Sequence, residues 1–252
     1  NVIQPEAVRT ALRKVLNRVP PRGAPLALLI PDPVVRVFIL PFEVLPRRAD
    51  EALPLLRWRL KKSVPFDVDE TVVSWMRQTG KENALEVVTA VARQRIVREY
   101  EDLVEALDVK SRVILSSTLA ALPLLGDSGA TLLVRMSGRT MTTVITRDNN
   151  LSIYRSTEMS GDAGALDVQA MLDEIFPAVA YYQDTWGNSP DRARISGFGA
   201  REEVFRRALA GELKCPVGAL ADSESALLLG SSAKDLLHHD LDALVGWMLN
   251  ES

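Results

Sequence analysis

The residues with the strongest claim to chemistry sit in one short turn, Val134-Arg135-Met136-Ser137-Gly138. A strand that turns at a glycine can bring its backbone close to phosphate oxygens, because no Cβ keeps them away. Arg135 argues against a metal there, since a guanidinium binds phosphate directly but repels a cation. Surface arginines are common, so the plainer reading is an exposed strand-end arginine paired with an acid. Other candidates are weaker. His238-His239 are adjacent, so on a helix they point about 100° apart and do not readily share one ion. Cys215 precedes Pro216 with no histidine signature near it, which fits a small buried side chain and not a nucleophile. Ser196-Gly197-Phe198-Gly199 does not meet the Gly-x-Ser-x-Gly pattern of a nucleophile elbow. The run Arg57–Lys62 reads as a solvated basic face, with an anionic membrane surface as the alternative.

The turn belongs to a meander. Thr131–Ser137, Thr140–Thr146 and Leu151–Ser156 read as three short strands with rough apolar/polar alternation, which predicts a half-buried antiparallel sheet. Upstream, Pro5–Arg18 is expected to be a helix with Val8, Leu12, Val15 and Leu16 on one face. Leu26–Ile30 and Val34–Leu40 are strands around the corner Pro31-Asp32-Pro33. Asp50–Lys62 is a helix with Asp50 as N-cap and Pro54 in its first turn. Thr71–Gln78 and Ala84–Ala92 form a hairpin, followed by a helix at Gln94–Leu107 and a strand at Arg112–Ser116. Gly126-Asp127-Ser128-Gly129 is the best linker. Gly164–Trp186 is a helix with a bend expected before Pro177, followed by strand Arg192–Ser196, helix Arg201–Ala210, an extended Cys215–Gly218 and a closing helix Asp240–Leu249.

At 252 residues, with 47% hydrophobic and 25% charged residues, the chain is long enough for one large or two medium folded domains. A net charge of −3 gives no reason to expect a nucleic-acid partner. One cysteine excludes an intrachain disulfide, and no apolar run reaches the roughly 20 residues of a membrane span. The first residue is Asn1 and not Met, so the native start is expected upstream.

The second half reads as three antiparallel strands, helix, strand, helix, strand, helix, the order of a ribonuclease-H-like lobe. The first half carries the later part of the same pattern with an inserted module. This predicts an α/β actin-like ATPase fold of two lobes. Residues 1–48, with 111–127 returning, form the lobe 1 core; 49–110 form the inserted subdomain; 128–252 form lobe 2. The opening strands of lobe 1 are expected to be missing.

Several stretches together resemble the PilM family, the actin-like proteins of type IV pilus assembly platforms. They are Leu26–Pro31 followed by Val35–Pro41; Leu60-Lys61-Lys62-Ser63-Val64-Pro65-Phe66-Asp67-Val68-Asp69-Glu70; Val87–Tyr100; Glu174–Tyr182; Ile195-Ser196-Gly197-Phe198-Gly199-Ala200; and Leu244–Leu249. They are collinear with the family over nearly the whole chain. The cytoplasmic domain of the type II secretion protein GspL shares this fold and is the nearest alternative.

The resemblance implies Mg²⁺-ATP between the lobes, held by Arg135, Ser137, Gly138, Gly161, Gly197, Phe198 and Gly199. Three departures weigh against it. Arg135 stands where the family fold has a metal-binding Asp, Ser137 where it has Gly, and Met159-Ser160-Gly161-Asp162 where it has Gly-Gly; Phe198 further separates the adenosine glycines. The expectation is a degenerate site with no metal ligand, a true actin-like ATPase being the alternative. A sugar-kinase-like transferase would need a catalytic Asp at the lobe boundary, and none is evident. The resemblance also implies an adaptor, cytoplasmic and peripheral to the inner membrane, that captures the tail of a PilN-like membrane protein in a pilus assembly platform. Its groove is expected from Phe38, Leu40, Phe42, Pro65, Phe66 and Trp75; the alternative is that Pro65 and Phe66 plug the inserted module's core.

Overall fold

The computed structural model describes residues 2–18, 26–126, 128–160, 167–223, 236–237 and 241–250. In chain order its elements are α1 (Pro5–Leu16), β1 (Leu26–Ile30), β2 (Val35–Phe42), α2 (Ala49–Leu60), β3 (Thr71–Thr79), β4 (Leu85–Arg93), α3 (Gln94–Glu105), β5 (Ser111–Ser116) and α4 (Ser117–Ala121). There follow β6 (Ala130–Ser137), β7 (Thr140–Arg147), β8 (Asn150–Glu158), α5 (Val168–Trp186), β9 (Arg192–Ser196), α6 (Glu202–Leu213), β10 (Val217–Ala219) and a last helix, here α7 (Asp242–Asn250).

The largest sheet has the order β10-β9-β6-β7-β8. β6, β7 and β8 are antiparallel neighbours, while β9 and β10 run parallel beside β6. Numbered within the lobe, this is 3-2-1-4-5 read from the other edge, the ribonuclease-H-like arrangement expected. The expectation of a half-buried meander holds for β8 but fails for its neighbours: β6 is buried from Ala130 to Met136 and β7 from Thr140 to Thr146. Both faces are covered. Leu132, Val134 and Met136 pack with Met171, Ile175 and Phe205 of α5 and α6 on one side. Leu133 and Val144 pack with Leu124, Leu151 and Val245 on the other. On the second face Thr131, Thr142 and Arg135 are polar residues buried against polar partners, so alternation here does not mean solvent.

β1 pairs parallel with β5, Leu28 opposite Ile114 and Ile30 opposite Ser116. β2 does not join that pair. It lies antiparallel to β4, which is also paired with β3, giving a three-stranded sheet β2-β4-β3. The strand pairing therefore cuts across the expected division at 48/49, because residues 35–42 are bonded to the inserted hairpin.

Local details follow from capping and sterics. α2 begins one residue earlier than expected, with Arg48 at the N-cap position and no side-chain cap. Asp50 lies in the first turn instead and binds Arg48. α5 starts at Val168, where the Asp167 carboxylate accepts from the Gln169 amide. It runs to Trp186 without being split at Pro177. Met171, Ile175, Val179 and Tyr182 bury one stripe of it in the core, and that packing holds the helix through the missing backbone bond. α7 packs backbone to backbone on α4: a Cβ at Gly246 would lie 2.2 Å from the Ala120 carbonyl oxygen.

Candidate functional site

Where the second lobe meets the first, polar side chains from seven elements converge on one buried arginine. β6 delivers Arg135 inward from the face opposite Val134 and Met136. α7 opens with Asp242, whose carboxylate accepts from Arg135 Nε and Nη2, each at 2.8 Å. This is a two-pronged pair, the strongest geometry for these groups. Ser196, at the end of β9, donates to Asp242 Oδ2 at 2.8 Å, and the Ala243 amide donates to Oδ1 at 2.9 Å. Arg135 Nη1 donates to Ser117 Oγ of α4 at 2.9 Å and stands 3.6 Å from Asp32 Oδ2.

Asp32 is the second anchor. It sits in the short 3-10 turn Asp32–Val34 between β1 and β2 and is buried. Its carboxylate accepts from the Thr118 amide at 2.9 Å, Thr118 Oγ1 at 2.5 Å, Thr142 Oγ1 at 3.2 Å and Tyr154 Oη at 3.2 Å. Every lone pair has a donor. An acid lies at the lobe boundary after all, but it is sealed and presents no face to a substrate.

The electrostatics favour the charged network. Burial works against the Arg135 charge, yet the hydrogen bonds and field of Asp242, with the field of Asp32, outweigh it and hold the guanidinium pKa above the ordinary arginine value. Burial, then the negative field of Asp32, pushes the half-buried Tyr154 phenol well above its usual range. Tyr154 thus remains a donor to Asp32.

Arg135 is therefore paired with acids, as the plainer reading held, but it is buried and not exposed. Ser137 is exposed. Gly138 and Gly199 have φ of 59° and 53° with open space around a built Cβ, so their glycine requirement is conformational. Gly197 is needed for packing: a Cβ there would lie 1.9 Å from the Met136 carbonyl oxygen. Phe198 neither blocks nor stacks on a ligand. It is buried in the core of the second lobe, stacked on Phe205 with ring centroids 4.1 Å apart. Gly161 and Asp162 lie outside the described residues, as do His238 and His239. Cys215 is half-buried, and burial followed by the field of Asp191 raises its thiol pKa. Tested against Mg²⁺-ATP, these residues do not fit: the one cation is neutralised by two carboxylates, and both carboxylates are already saturated by internal donors.

A second feature is an apolar trough on the three-stranded sheet. Strand side chains alternate between faces, and the two faces have different fates. Phe38, Leu40, Phe42, Val73 and Trp75 point to the face covered by α2, where they pack with Leu56, Leu60, Val87 and Val91. Phe66 joins that core and lies under the Arg93 guanidinium, 4.8 Å from its ring centroid. Pro65 is exposed beside it. Of the residues expected to line the partner groove, Phe38, Leu40, Phe42, Phe66 and Trp75 pack half-buried against the inserted module's core, and Pro65 stays exposed. The opposite face carries Val72, Ser74 and Met76 of β3 and Val88 and Ala90 of β4; Val88 is buried against the second lobe, while the β3 side is open, with Val72 43% and Met76 62% exposed. Two hollows of about 510 and 520 Å³ lie along this face, and both are bounded by Leu115 and Leu119. They make one trough from α3 to Trp247. β3 and β5 are the outer strands of their sheets, so each flanks the trough with a backbone edge that has no strand partner among the described residues.

No protein-family model matches the sequence, and no curated protein sequence matches it significantly. Solved structures do. A chain of the PilM–PilN type IV pilus biogenesis complex superposes with a TM-score of 0.79 at 16% identity, covering 100% of this chain and 87% of the other. The cytoplasmic domain of EpsL, an inner-membrane component of the type II secretion system of Vibrio cholerae, matches with a TM-score of 0.49 at 14% identity over 76% and 66%. A Bacteroides thetaiotaomicron protein with an actin-like ATPase fold and unknown function matches with a TM-score of 0.49 at 10% identity over 94% and 80%. The chain has the two-lobed actin-like fold, and the resemblance to PilM holds at the level of that fold.

Proposed function

We propose that this chain is an actin-like adaptor of an inner-membrane platform of the type IV pilus kind, holding the extended cytoplasmic tail of a PilN-like membrane protein and turning over no ATP. The observation that carries the reading is the open outer part of this sheet face, on β3. A sheet face bearing Val72 and Met76 in water, flanked by unpaired strand edges, is built for an extended peptide, whose backbone adds to an edge while alternate side chains enter apolar hollows. The PilM-like fold supports the choice of partner, since the similar solved structure is a PilM–PilN complex. The protein would then sit on the cytoplasmic side, attached to the inner membrane through that partner; no helix among the described residues is long and apolar enough to cross a membrane.

The absence of turnover is supported by the buried network. Arg135, Asp32 and Asp242 fill the region between the lobes with charges that neutralise one another, and Mg²⁺ entering there meets a guanidinium where a free carboxylate is needed.

The test is a calorimetric titration of the intact protein with the N-terminal cytoplasmic peptide of the adjacent membrane partner. Binding is expected, and Met76→Asp should weaken it by about tenfold or more, because it places a charge in an apolar hollow, while the thermal midpoint is unchanged. No binding across several peptide lengths, or a Met76→Asp variant that binds as well as the parent, contradicts the proposal.

A further inference from the structure

We propose that Gln78 and Lys81 clamp the inserted module onto the second lobe and so set the width of the first hollow of the trough. The hairpin β3–β4 is rigid within its own module, because Leu85 and Val87 near its tip pack with Ala52 and Leu56 of α2. Its free end reaches past the module and meets the second lobe at two places.

The first contact is a side chain on a backbone. Gln78 Nε2 donates to the Leu151 carbonyl oxygen at 2.6 Å, and Gln78 Oε1 accepts from the Leu151 amide at 3.0 Å. β8 is the outer strand of the large sheet, so its outward backbone groups need partners. A carboxamide carries the donor and acceptor of a peptide group, and Gln78 pairs with Leu151 as one residue of an added strand would. Its orientation is fixed from its own side: Nε2 also donates to Glu86 Oε2 at 2.9 Å, directly across the hairpin. Gly80 leaves room for that acid, since a Cβ there would collide with the Glu86 side chain. The second contact is a charge on a helix end. Lys81 Nζ donates to the Thr185 carbonyl oxygen at 2.6 Å. Thr185 lies in the last turn of α5, where carbonyls have no partner within the helix and the helix dipole favours a cation.

Gln78 and Leu151 both line the first hollow. Met76 and Gln78 bound it on the module side, Thr146 and Leu151 on the side of the second lobe, and Trp247 of α7 lines it as well. Its walls therefore belong to separate parts of the fold, and non-covalent contacts set the distance between them. One is the apolar cluster that Val88 shares with Leu133 and Leu151. Such packing is non-directional, whereas the hydrogen bonds of the clamp depend on angle as well as distance and hold the walls in one relative orientation. The consequence for a ligand rests on the tail-binding reading: a hollow held at one width is preorganised, so less binding free energy is lost in ordering it. The clamp itself does not depend on that reading.

The experiment labels the intact protein with fluorotryptophan and reads the Trp247 fluorine resonance, assigned among the four tryptophans by Trp247→Phe. Gln78→Ala and Lys81→Glu should each shift or broaden it, while Lys81→Arg, which keeps a cationic donor, leaves it in place. The Trp58 resonance, from the outer side of α2, should stay unmoved in all three and so report an intact module. The Leu151 amide should exchange with solvent about tenfold faster in Gln78→Ala, and that variant should bind the tail peptide about fivefold more weakly, through faster dissociation. An unmoved Trp247 resonance or unchanged Leu151 exchange in Gln78→Ala overturns the clamp, as does Lys81→Arg behaving like Lys81→Glu. A parent that binds the tail no better than Gln78→Ala overturns its role in setting the hollow. A parent that binds no tail at all contradicts the tail-binding reading alone, and the fluorine and exchange results still decide the clamp.

Discussion

Arg135 is the residue on which the chemistry turns. Its departure from the expected carboxylate was visible in the sequence, but its partners were not, because Asp242 lies 107 positions away and Asp32 reaches it only through the fold. The one local hint for Asp32 was an acid held between two prolines directly after an all-apolar strand. Energetically the network is costly to break and not especially profitable to keep. Asp242→Ala should destabilise by about 3–5 kcal/mol in urea denaturation, because it strands a buried guanidinium. Replacing Arg135 and Asp242 together by Met and Leu should recover only part of that loss, since those two charges leave together but Asp32 stays buried without its cation. Tyr154 sets the alkaline limit. Its phenol pKa is higher folded than unfolded, so the folded state holds this proton more tightly. That contribution is fully present below the ordinary phenol value of about 10 and fades as pH rises through the folded value. Stability measured from pH 9 upward should therefore fall, and Tyr154→Phe should flatten the fall.

Among the elements, hairpin β3–β4 and the meander β6–β8 were legible to within a residue or two, since each alternates and ends at a turn. Which face of β3 meets the core was not. Val72 and Met76 on one side look as apolar as Val73 and Trp75 on the other, and a shift of one residue exchanges the faces. The helix α2 decides it, and its position comes from tertiary packing. The burial of both faces of β6 and β7 was hidden for a similar reason: threonine reads as a surface residue until its hydroxyl finds a buried partner, as Thr142 finds Asp32. At the contact between α4 and α7, Gly246 permits the helix backbones to touch. Gly246→Ala should cost about 1–3 kcal/mol through overpacking, read as a lower denaturation midpoint, in spite of alanine's better helix propensity.

The molecule as a whole reads as an actin-like body whose lobes are joined by side chains of its own. Asp32 comes from the β1–β5 side, Arg135, Thr142 and Tyr154 from the large sheet, and Asp242 from the C-terminal helix, so the network ties both lobes and the end of the chain in one place. The order of elements in the second lobe foretold its sheet; the missing information was what occupies the space between lobes, which no motif encodes. The most direct measurement is a calorimetric titration of the intact protein with Mg²⁺-ATP. No saturable binding in the micromolar range and no change in the thermal midpoint are predicted; binding tighter than about 10 µM, a free energy near −7 kcal/mol, would contradict the proposal that this protein turns over no ATP.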